Sequence, residues 1–285
     1  VGESGSGKSV TARAVLGLVP RGAQVEGSVT VDGLDVLSAS PGRLRRLRSQ
    51  TAAMVFQDPR TGINPLRRIG DHLTEGARFA QRGDVRAARG RAVELLAAVG
   101  LPDPERHLRQ FPHELSGGML QRVMIAGALM GSPRLLLCDE PTTALDVTTQ
   151  AEIVRILRRL QQERGMGMLF ITHDLDLAAS VCDRVLVMYA GQVVEQAPAL
   201  ELFRAPRHPY TAGLLASTPS LEAEHGRLAP IRGVPLSLLA DPAGCPFADR
   251  CDHVVEGPCT TGRIDLVGDE RHASRCVLTA EEAVS

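Results

Sequence analysis

Apolar and polar positions alternate from Val25 to Val36 with Asp32-Gly33 between them, a pattern that predicts an antiparallel hairpin. The run Ala52-Ala53-Met54-Val55-Phe56 predicts a buried strand that ends at Gln57. From about Asp58 to Met130 the spacing is mostly helical. Val85–Val99 is amphipathic there, and Ser116 is placed to cap a helix over Gly117–Met130. A strand is expected over Leu135–Cys138, then a helix whose apolar stripe is Ile153, Ile156, Leu157 and Leu160. A strand over Met168–Thr172 follows, and then a helix-strand pair ending near Val194. Strands that alternate with helices predict an α/β fold around a parallel sheet. After Pro198 the chain turns to short segments rich in Pro, Gly and Cys, which sets an expected domain boundary near residues 195–205. No internal repeat is visible.

Composition adds bounds. The chain has 285 residues, 44% of them hydrophobic and 23% charged, enough for about two globular domains with a sizeable core. Disordered and collagen-like classes are excluded. The formal charge is 32 − 33 = −1, so no strong net field draws the chain to nucleic acid or anionic lipid. No apolar run reaches the roughly 18 residues of a membrane span, so any membrane role is expected to be peripheral. The chain opens on Val1 with neither a basic start nor an apolar signal region, and reads as a cytosolic protein whose own beginning has been cut away.

Arginine supplies every positive side chain but one. The single lysine, Lys8, closes Gly2-Glu3-Ser4-Gly5-Ser6-Gly7-Lys8-Ser9, which fits the P-loop pattern G-x-x-x-x-G-K-[ST] at each fixed position. Glycines let successive backbone N–H groups turn inward as an anion nest, and the following helix adds its positive end. A compact ammonium reaches the β and γ phosphates where the wide guanidinium fork would crowd the loop. Ser9 would set its hydroxyl on Mg²⁺. A Gly/Ser linker is the bland alternative, but Val10 to Leu18 continues as a helix. A P-loop follows a buried strand and only Val1 precedes this one, so the first strands, with any base-stacking aromatic they carried, are expected to be missing.

Downstream, Leu135-Leu136-Leu137-Cys138 runs into Asp139-Glu140, a hydrophobic strand followed by acids. Asp139 would hold Mg²⁺ through water and Glu140 would orient or deprotonate the attacking water. Alone that pattern is common; its weight comes from the P-loop upstream and from Pro141, Asp146 and His173 beyond it.

Together these motifs resemble the ABC-type ATPases. Leu115-Ser116-Gly117-Gly118-Met119-Leu120-Gln121-Arg122 is similar to their signature motif, Gln57 to their Q-loop, Ala144-Leu145-Asp146 to their D-loop, and Ile171-Thr172-His173-Asp174 to their H-loop. Phe111-Pro112-His113-Glu114-Leu115-Ser116, Pro141-Thr142-Thr143-Ala144-Leu145-Asp146 and His208-Pro209-Tyr210-Thr211 resemble the oligopeptide and dipeptide importer branch, in which Met119 also stands where many members have Gln. The resemblance implies an α/β P-loop nucleotide-binding domain over residues 1–195, with a helical subdomain at about 58–130, and a small C-terminal extension over 196–285.

It also implies roles. ATP with Mg²⁺ would be held by Gly2, Glu3, Ser4, Gly5, Ser6, Gly7, Lys8, Ser9 and Val10 with Gln57, Asp139 and His173. Ser9, Gln57 and Asp139 would serve the metal, and Lys8, Gln57, Glu140 and His173 the chemistry. Ser116, Gly117, Gly118 and Gln121 would act on ATP in a second ABC ATPase subunit, as an anion site at a helix N-terminus, and Asp146 would work across the same interface. ATP then joins a head-to-tail dimer, and its hydrolysis lets the halves part. The implied partners are that second subunit, two transmembrane permease subunits and, indirectly, an extracytoplasmic solute-binding protein, on the cytoplasmic face of the cell membrane and without nucleic acid. The cargo would be di- or oligopeptide, with nickel or another small solute as the alternative. ATPases acting on nucleic acid or ribosomes carry two cassettes or a long coiled coil, and neither is visible here. A non-hydrolysing partner subunit would have lost Glu140 or His173, and both are present.

Six cysteines remain. Cys138 and Cys182 sit in apolar strand and helix contexts and read as small buried hydrophobes. Cys245, Cys251, Cys259 and Cys276 are separated by five, seven and sixteen residues. A cytosolic location argues against disulfides, leaving a four-thiolate metal site or unrelated thiols. The spacing lacks the paired C-x-x-C of zinc ribbons. It resembles the extension of peptide-importer ATPases, where such a set can bind a [4Fe–4S] cluster, which needs four thiolates. His253 and His272, among these cysteines, are expected to be solvated.

Overall fold

The computed structural model describes residues 1–79, 84–143, 145–217, 230–237, 240 and 242–282. It comprises two compact units, Ser9–Ile171, and Val1–Lys8 together with Thr172–Ser285.

In the Ser9–Ile171 unit, β1 (Thr30–Val31) and β2 (Leu34–Asp35) pair antiparallel. Asp32 and Gly33 between them have φ of 51° and 75°, as a two-residue type I′ turn requires. The hairpin is shorter than the Val25–Val36 alternation, and Val25, outside it, is 47% exposed. A parallel sheet in the order β3-β4-β5 follows, from β3 (Ala52–Val55), β4 (Leu135–Asp139) and β5 (Gly167–Ile171). Val55, Leu136, Leu137 and Cys138 are fully buried, so the central strand reads as an unbroken apolar run. The helix Val147–Arg164 buries Ile153, Ile156, Leu157 and Leu160 as the stripe requires, each side chain contributing about 1.5–3 kcal/mol. It ends at Gly165 with φ 59°.

Between β3 and β4 the backbone is helical in short pieces, of which Val85–Ala98 and Gly117–Leu129 are the longest and pack together. Asp84 caps the first by accepting from Arg86 N at 2.8 Å and Ala87 N at 3.0 Å. Ser116 caps the second by accepting from Met119 N at 3.3 Å.

In the other unit, the helix Leu175–Val181 is followed by β6 (Arg184–Tyr189), β7 (Gln192–Pro198), β8 (Val267–Gly268) and β9 (Ala273–Ser274) in one antiparallel sheet of order β6-β7-β9-β8. The expected single strand near Val194 is thus two. A parallel pair needs a crossover, and Ala190-Gly191, with φ of 44° and 81°, leaves room only for a tight hairpin. The core of this unit is Val185, Val187, Tyr189, Val194, Ala197, Leu202, Tyr210, Phe247 and Cys251. Val1 lies along β6: its amino group donates to Leu186 O and its carbonyl accepts from Met188 N, both at 2.8 Å.

Candidate nucleotide site

The Gly2–Lys8 loop belongs to the unit that contains β6. Gly2 has φ 145°, and a Cβ there would lie 2.1 Å from Met188 O, so only glycine fits against β6. Gly7 has φ 94°, in the left-handed region that turns successive N–H groups toward one side. The loop is closed by hydrogen bonds from Ser6 N to Glu3 O (3.3 Å) and from Gly191 N to Ser6 O (3.1 Å). Lys8, only 7% exposed, donates from Nζ to Gly2 O and Glu3 O, both at 2.8 Å, and to Ser6 Oγ at 3.3 Å. The only lysine of the chain is therefore a buried cation satisfied by backbone carbonyls, a set that an anionic ligand can compete with. Ser4 and Gly5 are exposed. In the same unit His173 is exposed, just before Asp174, whose carboxylate caps the Leu175–Val181 helix through Leu177 N at 2.9 Å.

The helix Lys8–Val15 carries the chain into the Ser9–Ile171 unit. There Ser9 Oγ donates to Asp139 Oδ1 at 2.7 Å, so the two residues expected to serve one Mg²⁺ meet across 130 positions of sequence. Asp139 is 2% exposed at the end of β4. Arg13 lies 4.0 Å from its other oxygen, and Val10 is 58% exposed on the helix. Glu140 leaves the strand with φ 46°, a conformation that non-glycine residues rarely adopt, and is fixed by its N–H donating to Ile171 O at 3.0 Å. Its Oε2 accepts from Gln57 Nε2 at 3.0 Å and from Thr143 Oγ1 at 2.9 Å. Four residues named from sequence thus form two pairs at the ends of β3 and β4, Ser9 with Asp139 and Gln57 with Glu140.

The signature residues Ser116 and Gly117 are exposed at the start of their helix. Gly118 is half-buried, and a Cβ there would lie 2.7 Å from Thr149 Cγ2. Gln121, by contrast, is 1% exposed with Nε2 buried and unsatisfied. Asp146 caps the Val147–Arg164 helix, accepting from Thr149 N at 3.0 Å and Thr149 Oγ1 at 2.7 Å. The Thr149 hydroxyl and N–H hold its carboxyl below the usual range. Ala144, expected to open the D-loop, lies outside the described residues.

Cys245, Cys251, Cys259 and Cys276 line one narrow cavity of about 10 Å³ with His208, Phe247 and His253. All four are free thiols, three of them buried. Burial pushes Cys245 up to about 11 and raises Cys251 and Cys276 as well. Among the described residues no group of three or more His, Cys, Asp or Glu is arranged to hold a metal ion. His253 is exposed, as expected. His272 is not: it is 5% exposed and its Nε2 lies 2.7 Å from Oε1 of the fully buried Glu195. That carboxylate needs donors in the interior, and also takes Arg207 N (2.7 Å) and His208 N (3.0 Å). Nearby, burial lowers His208 to about 4.

A strand-end Asp–Ser pair and a Gln–Glu pair on a parallel sheet with a helical insertion, in a chain that also carries a complete P-loop sequence with its lysine, are the features of a P-loop nucleotide-binding cassette. Residues 1–143 match the ABC transporter family model, and residues 194–259 match that of the oligopeptide/dipeptide transporter C-terminal region. The chain belongs to the ABC transporter family. It is 50% identical over 98% of its length to the oligopeptide transport ATP-binding protein OppD of Mycobacterium tuberculosis, of which it covers 46%. It therefore spans about half the length of that relative. To OppD of Escherichia coli it is 46% identical over 90% of its length, covering 76% of that protein. Among solved structures, the dimeric ATP-binding cassette MJ0796 bound to ADP and Pi is similar with TM-score 0.61 and 31% identity, over 70% of this chain and 83% of that one. No helix among the described residues is long and apolar enough to cross a membrane.

Proposed function

We propose that the chain is the ATP-hydrolysing part of an importer of di- or oligopeptides, with a nucleotide-binding domain over residues 1–195 and an importer-type extension over 196–285. The observation that carries the ATPase reading is the Gln57–Glu140 hydrogen bond beside the Ser9–Asp139 pair. Ser9 and Asp139 would hold Mg²⁺, and Lys8 with the Gly2–Gly7 amides would hold the phosphates. Gln57 keeps Glu140 oriented, and Glu140 accepts the proton of the attacking water at its carboxylate. His173 would contact the γ phosphate. Ser116 and Gly117, exposed at a capped helix start, suit binding to the nucleotide of a second ATPase subunit. Asp146 would work at that interface.

The peptide reading rests on the relatives named oligopeptide transport ATP-binding proteins and on the matched C-terminal region. A groove of about 900 Å³ in the Ser9–Ile171 unit, lined by Phe56 next to Gln57 and by Leu18, Leu73 and Met124, suits a permease segment. The assembly would then be peripheral, on the cytoplasmic face of the cell membrane. Purification of the complex from detergent-solubilised membranes tests this: two polytopic subunits and a second ATPase are expected, and ribosomal or DNA-bound partners would overturn it.

The four cysteines of the extension supply the donors that a [4Fe–4S] cluster takes, four free thiols lining one narrow cavity, and would have to draw together to hold it. Such a group, when bound, accepts and donates single electrons and cross-links the segments that carry it. The residues' own part would be to give up their thiol protons and close around the metal, coupling its uptake to local folding. Protein prepared anaerobically should be brown with about four irons per chain, and Cys251→Ser should bleach it. A colourless, iron-free protein would sink the cluster.

A further inference from the structure

The C-terminal segment reaches the P-loop through Glu3, and every polar group of that residue is taken. Its N–H donates to Tyr210 Oη at 2.9 Å. Its carbonyl accepts from Lys8 Nζ at 2.8 Å. Its carboxylate accepts a fork from Arg250, Nη1 to Oε2 at 2.7 Å and Nη2 to Oε1 at 3.1 Å. The Arg250 side chain is 4% exposed and that of Glu3 26%. Arg250 is itself held on all sides. Its Nε donates to Arg232 O at 2.8 Å, and its guanidinium lies 5.7 Å from the Tyr189 ring centroid and 5.8 Å from that of Phe247. Tyr189, Tyr210 and Phe247 pack against one another with centroids 4.7–5.3 Å apart.

A bidentate, buried and aromatic-backed arginine is a stiff anchor, and here it is attached to the residue whose carbonyl docks the P-loop lysine. We infer that Arg250 and Tyr210 are positioning residues for the nucleotide site, acting through Glu3 to set the P-loop backbone and the seat of Lys8, so that the extension tunes affinity for MgATP. Arg250 lies in the short helical turn Ala248–Arg250 between Cys245 and Cys251, so whatever orders that turn also orders Glu3. The inference rests on the P-loop being the ATP site and does not depend on what the cysteines bind.

The test is MgATP titration of the full-length protein and its variants, with thermal unfolding midpoints measured on the same samples. Arg250→Gln should weaken MgATP binding about tenfold, within the range of site-to-site coupling. Arg250→Lys should not restore it, because an ammonium cannot fork the carboxylate. Glu3→Gln combined with Arg250→Gln should lose no more than Arg250→Gln alone, since both remove one interaction. Tyr210→Phe keeps the ring packing and removes only the acceptor of the Glu3 N–H, so it stands in where Arg250→Gln fails to fold. It should weaken MgATP binding several-fold. Folded Arg250→Gln or Tyr210→Phe protein that binds MgATP as tightly as the parent would overturn the positioning role alone. A parent protein that binds no MgATP would overturn the nucleotide reading and this role with it.

Discussion

At the scale of single residues, the site is built from groups that have one chemically suitable identity. Lys8 is the only ammonium side chain in an arginine-rich protein, and its three short contacts are all to oxygens of the loop that it would share with phosphate. Lys8→Ala should therefore weaken MgATP binding by about 10–100-fold, the worth of a charged hydrogen bond of ~1.5–3 kcal/mol, and Lys8→Arg should recover little of it; calorimetric titration measures both. Gly2→Ala places a methyl group 2.1 Å from Met188 O and should cost about 1–3 kcal/mol of stability, read as a lowered Tm. Lys8, Gly2 and Asp139 were legible in the sequence because the P-loop and strand-acid patterns are local. Arg250 and Tyr210 were not, because their partner Glu3 lies 247 and 207 positions away and neither carries a motif pointing to it. His272 misled for the same reason: its buried partner, Glu195, is 77 positions distant.

At the scale of elements, hydrophobic period read most of the chain well. The stripe of Val147–Arg164, the buried β4 and the cap at Ser116 all follow from spacing that local physics enforces. Ser116→Ala removes the acceptor for Met119 N and should cost about 1 kcal/mol in thermal unfolding of the isolated chain, before any effect on nucleotide. Period could not say which strand pairs with which. Alternation near Val185–Val194 is compatible with a parallel or an antiparallel neighbour, and the decision lies in the two-residue Ala190-Gly191 turn. Gln121 shows the limit on the helix: its motif position suggests a contact beyond the chain, while helical geometry turns it into the interior.

At the scale of the whole molecule, ATP would be the ligand that joins this cassette to a second one. The signature Ser116-Gly117-Gly118 and the P-loop lie more than 100 residues apart in the chain, and in the proposed dimer each would bind the same nucleotide from a different subunit. Glu140 would be the group that ends the joined state, through the water it orients alongside Gln57. The most direct measurement is the mass, by light scattering, of full-length Glu140→Gln protein with and without saturating MgATP, beside its hydrolysis rate. A stable ATP-dependent dimer with turnover reduced by at least about a hundredfold is the predicted result. A protein that remains monomeric at saturating MgATP, or that hydrolyses ATP as fast as the parent, would contradict the account.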